Sequence, residues 1–239
     1  MSMKPEIVID TSAALARVFA DRLVADAAAA IAARGQFSCA LPGGSVAETF
    51  FPVLARAPLA WDKVEFFWGD ERAVGPDDPE SNYGLAKRLL LDVVGADPRR
   101  VHRIVGEGGD LDAAARAYES EMVRALGDPP RMDWVVLGLG PEGHVCSLFP
   151  GHPLLRERTR RVAAIFDSPK PPPQRLTFTM LPLELARTIC IAGFGESKAA
   201  AIRETIEDPG SQIPAALALR AAPRCLVLAD RAAASLLRK

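Results

Sequence analysis

Apolar residues recur along this chain with two different periods. Short apolar stretches stand at Glu6 to Asp10, Phe37 to Leu41, Val64 to Trp68, Val101 to Val105 and Val135 to Leu137, and again in RVAAIFD, LTFTM, TICIAG and CLVLAD. Their length and their β-branched and aromatic content predict strands, some of them buried on both faces. Between them the period lengthens to that of a helix. Ser12 to Ala33 carries Leu15, Phe19, Leu23, Ala27 and Ile31 at i+4 spacing, with Thr11 or Ser12 to cap its start and Gly35 to take the left-handed conformation past its end. Ser45 and Glu48 have capping-box spacing at the head of VAETFFPVLA, and Ser81-Asn82-Tyr83-Gly84 leads into LAKRLLLDVV. Leu111 to Leu126 sets Ala114, Tyr118, Met122 and Leu126 along one face, and Lys198 to Glu207 and Arg231 to Arg238 complete the helices. Strands alternating with helices predict an α/β fold, a doubly wound and mostly parallel sheet flanked by helices, in a single domain spanning 1–239.

With 239 residues, 49% of them hydrophobic, the chain can fill one large core. A formal net charge of −1 argues against broad adhesion to nucleic acid or to an anionic membrane, so any anion site is local. Cys39, Cys146, Cys190 and Cys225 lie far apart with no CxxC pair and read as reduced thiols of a cytoplasmic protein. The opening MSMKPEIVID has no long apolar run, and no window approaches the ~18 apolar residues of a membrane span.

Candidate chemistry concentrates in four places. In WVVLGLGPEGHVCSLFP, glycines at 138, 140 and 143 end an apolar run and deliver His144 to the carboxyl end of a strand, where open parallel sheets bind ligands. The residues alone leave two readings, a reactive imidazole or a histidine in an ordinary strand-to-helix turn. LPGGS at 41 to 45 passes from a strand through Gly43 and Gly44 into a helix start at Ser45, where free backbone N–H groups and the helix dipole suit an oxyanion, or the turn is simply tight. It is not a Walker loop, and the GxG at 138 to 140 lacks a full GxGxxG, so neither ATP nor NAD is assigned. Gly69-Asp70-Glu71-Arg72 is either a solvated loop or a ligand-facing cluster, in which the Arg72 guanidinium suits bidentate phosphate contact and Asp70 could orient an imidazole or a sugar hydroxyl. The stiff SPKPPPQR segment holds Lys170 and Arg175 over the sheet edge, as ligand groups or as a rigid surface loop. His102, alternating within VHRIV, and His152, in FPGHP, read as structural.

Together LPGGS, GDER with the later SNYG, GLGPEGHVCSLFPGHP and SPKPPPQRLTFT resemble the 6-phosphogluconolactonase family, in order from about residue 40 to about residue 200. The resemblance implies the fold shared with the amino-sugar-phosphate isomerases and hydrolysis of 6-phospho-D-glucono-1,5-lactone to 6-phosphogluconate in the oxidative pentose phosphate pathway, with no cofactor and no metal. It implies that His144 is the general base, that Asp70 and Arg72 are its acidic and basic partners, and that Gly43, Gly44 and Ser45 form the substrate-binding turn. Lys170 with Arg72 resembles a phosphate clamp, and Arg175 and Lys198 are further substrate-binding candidates. Where the family usually has LSGGSTP and DGHTAS, this chain has LPGGSVA and EGHVCS; the histidine and the glycines are kept, two threonine hydroxyls are lost at Val46 and Val145, and Glu142 stands for aspartate.

An imidazole of unperturbed pKa near ~6.5 can accept a proton from water at neutral pH. Nearby backbone N–H groups or Arg72 could then stabilise the oxyanion of the attacked lactone. Three other readings stand beside the lactonase. In an amino-sugar-phosphate isomerase or deaminase an acid follows five positions after the loop histidine, whereas here that position is Phe149. A non-catalytic sugar-phosphate binder would not need His144, Asp70 and Arg72 together, and a thiol hydrolase would pair Cys146 with His144 across a turn where the two need not face each other.

Overall fold

The computed structural model describes residues 4–238; residues 1–3 and 239 of the expected domain lie outside the described residues. Nine strands are formed among them: β1 (Glu6–Asp10), β2 (Phe37–Leu41), β3 (Val64–Trp68), β4 (Asp70–Arg72), β5 (Trp134–Gly138), β6 (Val162–Ile165), β7 (Arg175–Phe178), β8 (Thr188–Gly193) and β9 (Arg224–Asp230). Six of them make a parallel sheet of order β1-β9-β8-β5-β2-β3. The remaining three make a small antiparallel sheet of order β4-β7-β6, an element the apolar pattern does not predict.

The helices are α1 (Ser12–Arg34), α2 (Gly44–Leu54), α3 (Asn82–Ala86), α4 (Asp92–Val94) after a π-helical turn at Lys87–Leu91, α5 (Leu111–Leu126), α6 (Met180–Leu185), α7 (Ala199–Glu207) and α8 (Pro214–Ala221). α1 follows its periodicity: Leu15, Phe19, Leu23 and Ala27 are buried, Thr11 Oγ1 accepts from Ala14 N–H, and Gly35 closes the helix at φ 81°. Its Phe19 stacks on Phe50 of α2 with ring centroids 4.3 Å apart and meets Trp134 of β5 edge-on at 6.0 Å, which seats both helices on the sheet. No described helix is long and apolar enough to cross a membrane.

Three expected elements differ. Val101 to Val105 is not a strand: only Val101 bridges to Phe66, because the next side chain, His102, turns inward between Glu65 (2.8 Å) and Glu121 (2.6 Å) and stacks on Phe67. Arg231 to Arg238 forms turns rather than a helix, since the Asp230 carboxylate takes the Ala233 N–H at 2.7 Å and two of the backbone bonds that follow, from Ser235 and Leu237, run i to i+3. Ser45 and Glu48 do not form a capping box, because the Gly-Gly pair lets α2 begin at Gly44, with Gly43 as its cap. The short helices α6 and α8, begun around prolines, went unpredicted.

The chain order reverses between β2 and β5: β3 follows β2 on one side, while β8 and β9 follow β5 on the other. Such a switch point opens a crevice at the carboxyl ends of the strands.

Candidate active site

A cavity of about 220 Å³ fills that crevice. Its walls are the segments that leave four parallel strands: Leu41 to Val46 after β2, Gly69 to Arg72 after β3, Gly138 to His144 after β5, and Gly193 to Lys198 after β8. Arg175 of β7 and Lys170 of the proline segment before it also line the cavity. Four cations, Arg72, Lys170, Arg175 and Lys198, line it with one carboxylate, Asp70, so a nearly neutral chain carries a strongly positive cleft.

His144 owes its place to two glycines. Gly140 N–H donates to the His144 carbonyl at 2.9 Å and Gly143 N–H to the Gly140 carbonyl at 3.0 Å, folding the loop back on itself. A Cβ at Gly140 would fall 1.8 Å from His144 Nδ1, so only glycine leaves room for the ring. These bonds also occupy both N–H groups, which removes them as stabilisers of an oxyanion. Phe149 packs on the imidazole at a centroid distance of 4.8 Å. Nδ1 lies 3.2 Å from Glu142 Oε2 and 3.5 Å from Lys170 Nζ, while among the described residues no polar side chain or backbone group hydrogen-bonds Nε2. Burial pushes the imidazole below its usual range and the Lys170 charge adds to this, against the opposing pull of Glu142 and, more weakly, Asp70.

In GDER, charge and burial divide the roles. Glu71 is buried and receives four hydrogen bonds, from the N–H groups of Arg72 (2.8 Å), Asn82 (2.8 Å) and Tyr83 (2.7 Å) and from the Ser81 hydroxyl (3.0 Å). It is the brace that ties SNYG to β4; Ser81 in turn caps α3 by accepting from Gly84 N–H at 3.0 Å. Asn82 donates to the Asp70 carbonyl at 3.0 Å and fills the space over Gly43, where a Cβ would lie 1.8 Å from its Oδ1. Asp70 faces the cavity but accepts from Ser147 Oγ at 2.6 Å, and its carboxylate makes no hydrogen bond to His144; the acidic neighbour of the imidazole is Glu142. Arg72 extends one Nη1 to the Glu80 carbonyl, and its Nε is buried without a partner among the described residues.

The other expected residues also line the cavity. Gly43, Gly44 and Ser45 present the amino end of α2, with no side-chain cap on its first turn. Lys198 precedes α7, and burial, followed by the nearby Lys170 charge, lowers its pKa. Arg175 is largely spent on structure: Nε donates to Pro172 O at 3.0 Å, Nη2 to Lys170 O (3.1 Å) and Pro171 O (3.0 Å), and Nη1 reaches Ser147 Oγ at 3.4 Å. It pins the proline segment in place. The Lys170 ammonium lies 3.1 Å from Glu142 Oε1 and 3.2 Å from Oε2.

His102 and His152 stand outside the cavity; His152 caps the short turn at Pro153–Arg156 by accepting from Leu154 N–H at 3.2 Å. The Cys146 thiol lines the site, but burial and then Asp70 push its pKa well up, so it packs against Gly69 as a protonated group. Ser147, Glu71 and Asn82 carry the site's internal bonding; each lies inside a quoted motif, but no local pattern singles it out there.

A family model described as glucosamine-6-phosphate isomerases/6-phosphogluconolactonase matches residues 10–227. A 6-phosphogluconolactonase of Mycobacterium tuberculosis is 42% identical over 98% of this chain and 98% of its own length. The structure of 6-phosphogluconolactonase from Trypanosoma cruzi superposes with a TM-score of 0.87 at 29% identity, over 100% of this chain and 99% of that one. A monomeric glucosamine-6-phosphate deaminase shares the fold with a TM-score of 0.81 at 26% identity, covering 97% of this chain and 99% of that one. With its motifs placed around one cleft and the family model spanning nearly all of it, this chain belongs to the glucosamine-6-phosphate isomerase and 6-phosphogluconolactonase family.

Proposed function

We propose that this chain hydrolyses 6-phospho-D-glucono-1,5-lactone to 6-phosphogluconate, the reaction of the oxidative pentose phosphate pathway, in the cytoplasm. The observation that carries this reading is the partly buried His144, with Nε2 unpartnered among the described residues, in a cation-lined cleft. Four free cysteines agree with a reducing compartment.

The phosphate binds at the amino end of α2, where the first-turn N–H groups and Ser45 meet the guanidinium of Arg72, with Lys198 as the second cation. This orients the lactone carbonyl toward His144. Nε2 takes a proton from water as the water oxygen bonds to C1, and the carbonyl electrons move to oxygen. The positive field of the four cations around the cleft favours that oxyanion. On collapse the bond from C1 to the ring oxygen breaks, and the ring oxygen recovers the proton from the imidazolium. The product acid then ionises, so each turnover releases one proton. Asp70, held by Ser147 and facing the cavity, accepts a hydrogen bond from a sugar hydroxyl.

The competing reaction of the family needs an acid to shuttle protons. The position five residues after the loop histidine is Phe149, an apolar ring packed on the imidazole. Given 6-phosphogluconolactone and glucosamine 6-phosphate in parallel, the purified chain is expected to accelerate proton release from the first and to form neither ammonia nor fructose 6-phosphate from the second. Turnover of the amino sugar above background, or no acceleration on the lactone, would overturn the assignment.

A further inference from the structure

His144, Glu142 and Lys170 form a closed triangle: Nδ1 to Oε2 3.2 Å, Nζ to Oε2 3.2 Å, and Nζ to Nδ1 3.5 Å. Glu142 and His144 belong to the loop after β5, whereas Lys170 comes from the proline segment between β6 and β7, so the triangle joins two otherwise separate segments. An ammonium can only donate. If Nδ1 were unprotonated it would accept from the ammonium across the longest side, 3.5 Å, but its lone pair would face the Glu142 carboxylate at 3.2 Å. If Nδ1 carries the proton, Oε2 accepts from both neighbours across the two shorter sides, and only the 3.5 Å side carries no hydrogen bond. The second arrangement leaves the lone pair on Nε2, the nitrogen without a partner among the described residues.

We propose that Lys170 is a positioning residue for the general base, holding Glu142 against Nδ1 and countering its charge, and is not part of the phosphate site. A carboxylate alone beside Nδ1 would fix the tautomer but would also favour imidazolium, which cannot accept a proton. With Lys170 on both of its oxygens, at 3.1 and 3.2 Å, Glu142 keeps the orienting hydrogen bond and loses most of that second effect. The charged groups that face His144 are Glu142 on its own loop, Lys170 from the proline segment and Asp70 from β4. Phe149 covers the ring with an apolar surface. Two structural supports hold the ammonium there: Arg175 grips the carbonyls of Lys170, Pro171 and Pro172, and Ser168 Oγ donates to the Lys170 carbonyl at 3.0 Å.

This role rests on His144 being the base, and the test separates the two ideas. The chain has three histidines, so an NMR titration of the imidazoles, with His144 assigned by its loss in His144→Asn, reads the free protein without any turnover. In Lys170→Met the His144 midpoint is expected to move to higher pH, because a cation leaves and Glu142 is released to the ring; Lys170→Arg, which keeps the charge, is expected to stay near wild type. With substrate, the same Met variant is expected to lose activity increasingly as the pH falls. An unmoved or lowered His144 midpoint in Lys170→Met would overturn the positioning role, whatever the protein hydrolyses. Absence of lactone turnover in the wild type would instead overturn the proposed reaction and leave the titration result standing.

Discussion

Replacing His144 with Asn is expected to lower kcat on 6-phosphogluconolactone by roughly 10²-fold or more, the scale of a positioned general base. The effect is large because the other titratable groups around the imidazole are already engaged. Asp70 is bonded to Ser147, Glu142 is committed to Lys170 and to Nδ1, and the Cys146 thiol is kept protonated by burial. Asparagine keeps a polar side chain over Gly140 and beside Phe149, so the loop that positions residue 144 is retained. Unchanged circular dichroism and unfolding midpoint, measured beside the rate, separate lost chemistry from lost structure. A variant that keeps wild-type kcat would remove the imidazole from the mechanism.

The second large effect concerns Arg72. Its guanidinium lines the cavity beside the amino end of α2, where the proposed pose sets the phosphate. Arg72→Ala is therefore expected to cost roughly 1.5–3 kcal/mol in kcat/KM on the phosphorylated lactone, the range for a hydrogen bond to a charged group, and much less on glucono-1,5-lactone, which has no phosphate. Equal losses on the two substrates would place Arg72 at the carbonyl or in the loop. The contact from Arg72 to the Glu80 carbonyl makes the loop reading concrete, and the unfolding midpoint of the variant measures it.

Much of this site is legible in the chain because its parts are local. The apolar runs of β2, β3, β5 and β8 and the glycines that end or follow them lie within a few residues of one another, and together they put Gly43, Asp70, His144 and Lys198 at one edge of a parallel sheet. The small sheet is legible only in part: β6 and β7 show as apolar runs, but β4 and the antiparallel pairing do not. β4 is Asp-Glu-Arg, three charged residues with no alternation, and it becomes a strand only because β7 pairs with it from the far side of the sequence. The same limit hides the contact of Lys170: its charge and its stiff setting can be read, but its partner Glu142 lies on another loop. At Ser45 a real spacing misleads, because a capping box needs the helix to start at the serine and the two glycines let it start earlier. That shift has a functional side. A serine inside the first turn and an amino end without a side-chain cap leave donors for the substrate.

The proposal that a neutral His144 accepts the proton from attacking water is tested most directly by the pH dependence of kcat/KM on 6-phosphogluconolactone, with the spontaneous rate subtracted. Two ionisations fall in the acid range, the imidazole and the phosphate of the substrate, whose second pKa is about 6. The residual rate of His144→Asn carries only the phosphate, so the ratio of wild-type to variant kcat/KM isolates the imidazole. Burial and Lys170 lower the His144 pKa, so the neutral base persists below the ordinary imidazole value of about 6.5 and is lost only as the pH falls through the depressed pKa. The ratio is therefore predicted to hold level at neutral pH and to fall along a single ionisation with its midpoint below about 6.5. A ratio that stays constant across the acid range would contradict general-base catalysis by His144.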